Sequence, residues 1–122
     1  MTLKTLAKVV TMLIRLLWLF ELALGVYVAT GRGFAEVKLH VGIGFATTLL
    51  IFLLAMIAAV YRAWVPAVLG LVFSALLPYI GLAQLPVQLG GGMRPIQYAH
   101  VIIALGAIGV AEMTYGKIKR LG

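Results

Sequence analysis

Four apolar runs, each about 20 residues long and joined by short connections, constrain this chain more than any other feature. They can be placed at about 9–29, 37–60, 64–85 and 96–116, each long enough to cross a hydrocarbon core as a helix. A helix satisfies its backbone N–H and C=O groups within one segment, as lipid requires. The connections TGRGFAE, YRAW and QLPVQLGGGMRP are rich in glycine, proline or charge. Connections this short force neighbouring helices antiparallel, so the expected fold is all-α: an integral membrane four-helix bundle, one domain over residues 1–122. Composition agrees, with 64% hydrophobic and only 11% charged residues and a mean hydropathy of +1.15, all far from the soluble range. The first run is expected to stay as a span rather than be cleaved as a leader.

Charge orients the bundle. Lys4, Lys8, Arg15, Arg62, Lys117, Lys119 and Arg120 fall on one side, and Arg32, Lys38 and Arg94 on the other. The positive-inside rule then predicts both termini in the cytoplasm of a prokaryotic cell. The net charge of +7 sits at the ends of apolar runs rather than on an aromatic-interleaved patch, which points to the bilayer and away from nucleic acid as a partner. With no cysteine, a cysteine-held iron–sulfur cluster, a covalent c-type haem, a disulfide framework and a cysteine zinc site are excluded.

Residues 16–44 align without a gap on residues 76–104 at a constant offset of 60, with eight identities in 29 positions. The identities pair Leu16 with Leu76, Leu17 with Leu77, Leu22 with Leu82, Ala23 with Ala83, Gly31 with Gly91, His40 with His100, Val41 with Val101 and Ile43 with Ile103. Two helix hairpins entering from the same side are parallel repeats, related by an axis along the membrane normal. Residues matched by that axis share one depth on opposite sides of it.

His40 and His100 are the only histidines, each about 6 Å inside its helix start at 1.5 Å per residue. A flat ligand at the bundle centre could take one axial nitrogen from each. Haem iron suits two neutral imidazoles because its macrocycle supplies four nitrogens, whereas zinc wants about four protein ligands. The small residues Gly44 and Ala104, one turn further on, would let a porphyrin approach, though they equally serve helix packing. Thr47 and Ala107 continue those faces. In a haem site Arg94, Lys38 and Arg32 would neutralise the propionates; as topology charges they need no such role. Two other readings stay open: each histidine hydrogen-bonds a partner on the next helix, or the pair serves another metal or a quinone.

Glu21 lies mid-span, where a carboxylate is a functional candidate by default. Glu36, one turn before His40, could orient a substrate or relay protons, or rest in the headgroup layer. Glu112 is expected to form an ion pair with Arg15 or Arg62. Gln84, Gln88 and Gln97 cluster at the histidine end, and several of the tryptophans and tyrosines fit an interfacial belt.

The segment GLAQLPVQLGGGMRPIQYAHVIIALG resembles the third-to-fourth helix passage of one half of heme A synthase. That family has two similar four-helix halves with haem-ligating histidines on the second and fourth helices of each. The resemblance implies a cofactor haem on His40 and His100, either haem b or haem O or haem A, with Glu36 as the matching catalytic carboxylate. It covers the whole chain in architecture, but in detail only His40, His100, Glu36 and the region from Gln84 to Gly92. Val41 and Val101 follow the histidines where the family often has arginine, and only one half is present, compatible with a homo-oligomer.

The leading expectation is a membrane b-type cytochrome passing single electrons to an unidentified redox partner or quinone. Alternatives are a compact heme A synthase-like enzyme oxidising a haem methyl group, a small proton-coupled transporter built on Glu21, and a chemically silent accessory subunit. The transporter form favours balanced loop charges, against the seven-to-three bias.

Overall fold

The computed structural model describes residues 1–29, 36–83 and 95–121. Four helices account for nearly all of them: α1 (Leu3–Ala29), α2 (Val37–Val60), α3 (Trp64–Ala83) and α4 (Pro95–Arg120). No strand occurs among the described residues. All four helices are long and apolar enough to cross a membrane, and the chain is an all-α integral membrane bundle. Each neighbours the next around a ring closed by α1 against α4, and α2 also packs across the centre on α4. The two histidine-bearing helices thus lie on the short diagonal. Helix ends agree with the sequence reading to within six residues, the largest differences being at the basic termini of α1 and α4, which run on past the apolar runs.

Packing divides the bundle into a solid end and a hollow end. At the end holding the chain termini, Ala7, Val10, Thr11 and Ile14 form one stripe of α1 and Ile51, Leu54, Ala55 and Ala58 one stripe of α2. Ala107, Val110, Ala111, Thr114 and Ile118 complete it from α4. These i, i+3, i+4, i+7 spacings place each set on one helix face. Thr11 and Thr114 keep their hydroxyls satisfied by donating to the carbonyls of Ala7 and Val110, one turn back. The large residues Leu16, Leu49, Val65 and Ile102 are exposed, as lipid-facing positions should be.

Small residues set the helix spacing. A Cβ on Gly70 would sit 2.7 Å from the Ala55 Cβ, so α2 and α3 approach along a backbone-close seam of the kind small residues allow in membranes. The turn after α2 is a Schellman motif: Ala63 N–H donates to Ala58 O and Arg62 N–H to Ala59 O, each at 2.9 Å. Arg62 occupies the left-handed position with φ of 58°, where glycine would be easier. The expected ion pair joins α1 to α4, with Arg15 Nη2 donating to Glu112 Oε2 at 2.7 Å and Nε to Oε1.

Gly70→Val should destabilise the bundle by about 1–3 kcal/mol through overpacking against Ala55. Gly109→Ala, whose added Cβ meets nothing within 4 Å, should leave stability nearly unchanged. Thermal unfolding in detergent, followed by circular dichroism, checks the contrast.

Candidate functional site

The hollow end encloses a cavity of about 380 Å³ to which all four helices contribute. Trp18, Glu21, Leu22 and Gly25 form one stripe of α1, and Gln97, His100, Val101 and Ala104 one stripe of α4. His40, Val41 and Gly44 come from α2, and Leu77, Pro78, Gly81 and Leu82 from α3. Both stripes have i, i+3, i+4, i+7 spacing, so each helix turns one face toward the cavity. Pro78 removes an N–H from the middle of α3 and frees the carbonyl one turn back.

The repeat is visible in the walls. At the offset of 60, Trp18 matches Pro78, Glu21 matches Gly81, Leu22 matches Leu82, His40 matches His100, Val41 matches Val101 and Gly44 matches Ala104. These six pairs supply twelve of the nineteen residues that line the cavity.

At its centre the imidazoles of His40 and His100 lie with ring centroids 6.3 Å apart and planes crossed at 84°. Both rings are seated by glycines on the neighbouring helices. A Cβ on Gly25 would come within 3.3 Å of His40 Cε1, and one on Gly81 within 3.1 Å of His100 Cε1. His40 Nδ1 lies 3.0 Å from Glu21 Oε2, at ion-pair distance though off the line of a good hydrogen bond. Those side chains are only 12% and 15% exposed. Glu21 Oε1 and the Nδ1 atoms of both histidines are buried without a hydrogen-bond partner among the described residues. Such atoms in an apolar cavity cost about 1–3 kcal/mol each unless something completes them.

The sequence candidates separate in the folded chain. His40, His100, Gly44, Ala104 and Gln97 line the cavity. Gly44 admits Glu21 rather than simply opening space, because its Cβ would stand 3.1 Å from Glu21 Oε2. The carbonyl of Ala104 accepts the indole N–H of Trp18 at 2.9 Å. Glu36 is the N-cap residue of α2, with no side-chain capping bond, and is not among the cavity residues. Lys38 is exposed on the first turn of α2. Arg94, Arg32, Gln84 and Gln88 lie outside the described residues. Glu21, rather than Glu36, is the carboxylate at the histidine. Its stripe with Trp18, Leu22 and Gly25 was readable in the sequence, but counting depth from helix ends set it apart from His40.

Chemically, the arrangement can present two imidazole nitrogens to one centre from opposite walls. No group of three or more His, Cys, Asp or Glu side chains converges as a metal site among the described residues. A metal held between the histidines would therefore draw its remaining ligands from a cofactor, as a porphyrin supplies them. No family model, curated protein or solved structure matches the chain.

Trp18→Phe removes the one indole bond tying α1 to α4 across the cavity wall and should cost about 0.5–1.5 kcal/mol. Trp64→Phe, at a residue 62% exposed, should cost less. Denaturation midpoints of the two variants in detergent check this.

Proposed function

We propose that the chain is a membrane cytochrome holding one haem b between His40 and His100 and passing single electrons. The observation that carries this reading is the pair of opposed imidazoles, 6.3 Å between ring centres, in a cavity whose walls are otherwise mostly apolar. Two metal–imidazole bonds of about 2 Å leave about 4 Å between facing nitrogens. The 6.3 Å between ring centres accommodates that span with half a ring at each end. The cavity volume falls within the range of small-molecule and cofactor sites. Three buried polar atoms without a hydrogen bond among the described residues mark this cavity as more than apolar packing space.

The proposed topology puts both termini in the cytoplasm of a prokaryotic cell, because the basic residues gather at the terminal end. The haem then lies toward the opposite face, within reach of a redox partner or quinone on that side. An enzyme version would oxidise a haem methyl group, as the resemblance to heme A synthase suggests, with haem O or haem A as the pigment. Finding only haem b in extracts of cells supplied with the haem O precursor counts against that version.

Purified after expression with ample haem, the protein should show a reduced-minus-oxidised spectrum of b type at one haem per chain. His40→Ala and His100→Ala should each abolish the six-coordinate low-spin spectrum while circular dichroism retains the helices. A colourless wild-type protein that cannot be reconstituted with haem removes the proposal.

A further inference from the structure

Glu21 breaks the symmetry of the site. The repeat sets Gly81 where α1 has Glu21, and the consequence differs on the two walls. Gly81 leaves the His100 ring directly against α3, 3.1 Å from where a Cβ would stand; among the described residues neither histidine Nδ1 has a hydrogen bond, and at His100 no carboxylate stands within ion-pair distance. On the opposite wall a carboxylate oxygen stands 3.0 Å from His40 Nδ1. Room for it is built in, because Gly25 clears the His40 ring and Gly44 clears Oε2. Two other hydrogen-bonding groups of the cavity lining are committed elsewhere: the Trp18 indole N–H to Ala104 O and the Thr47 hydroxyl to Ile43 O.

We propose that Glu21 is the positioning residue for His40. It accepts the Nδ1 proton, selects the tautomer whose Nε2 is bare toward the cavity, and makes His40 the stronger donor of the two histidines. A carboxylate behind a metal-bound imidazole fixes ring orientation and raises ligand basicity. Among the described residues no carboxylate stands at His100, so with haem bound His40 would be the stronger donor and the ferric state would be favoured over the ferrous. This deepens the haem reading and rests on it for its redox consequence. The orientation of His40 by Glu21 stands on geometry alone.

Two measurements test it. In haem-free protein labelled with ¹⁵N-histidine, His40 should be held as the Nδ1–H tautomer, identified by its loss in His40→Ala. Glu21→Ala should return it to a mixture and leave His100 unchanged. In haem-loaded protein at one fixed pH, Glu21→Gln should raise the midpoint potential and Glu21→Asp should restore most of the wild-type value. A tenfold preferential loss of ferric affinity corresponds to about 59 mV for one electron. Should Glu21→Gln not fold, Gly44→Ala, which crowds Oε2, should move the potential the same way by less. Haem retained by Glu21→Gln at an unchanged potential, or a His40 tautomer indifferent to Glu21→Ala, overturns the assignment while leaving the cytochrome reading intact. Wild-type protein that takes up no haem removes the cytochrome reading, and the nitrogen shifts alone then decide whether Glu21 orients His40.

Discussion

The opposition of His40 and His100 across the bundle axis is the contact around which the hollow end is organised. An imidazole in hydrocarbon must find partners inside the protein, and here the two rings meet edge to face with centroids 6.3 Å apart. Everything nearby is shaped to keep the rings at that separation without filling the space between them. Gly25 and Gly81 remove the side chains that would push the rings together. The packing of α2 on α4 along the short diagonal of the ring brings the two histidine helices within reach of one another.

Rigidity comes from the other end. Alanine and β-branched residues close that half of the bundle, and the Gly70–Ala55 seam fixes α2 against α3 at backbone distance. Close packing of this kind resists small displacements. Helices clamped at one end and splayed around a cavity at the other hold their inward faces at defined positions with little contact between them. A preorganised ligand geometry follows, because the separation of the histidines is set by packing two to four turns away rather than by the ligand.

The sequence carried the fold and much of the site. Four apolar runs and short connections were enough for a four-helix membrane bundle, because length and hydropathy are the properties a bilayer selects for. At the offset of 60, His40 and His100 correspond, as do Gly44 and Ala104, and all four line the same cavity. The partnership of Glu21 with His40 was harder to see. Glu21 lies eight residues before the end of α1, about 12 Å of helix, and His40 only three residues after the start of α2. Counting from helix ends assumes that antiparallel neighbours end together, and here α1 runs past the start of α2. Glu36 looked better placed because it is close to His40 along the chain, yet proximity in sequence set it at the helix cap. The glycines were the missed signal: Gly25 and Gly44 bracket the volume that Glu21 and His40 occupy together.

Symmetry explains why both histidines are present, and its breaking explains why they differ. A duplicated hairpin supplies two equivalent nitrogens at one depth with no further adjustment. Equivalence alone would give a centre with interchangeable ligands and no preferred side. Placing a carboxylate at residue 21 and a glycine at residue 81 alters one wall, and it does so from the helix behind the ligand rather than from the ligand helix itself. The cavity shape is little affected, since Gly44 takes up the added side chain. A single side-chain difference between the two repeats can therefore make the walls of the cavity unequal without disturbing the packing that positions them.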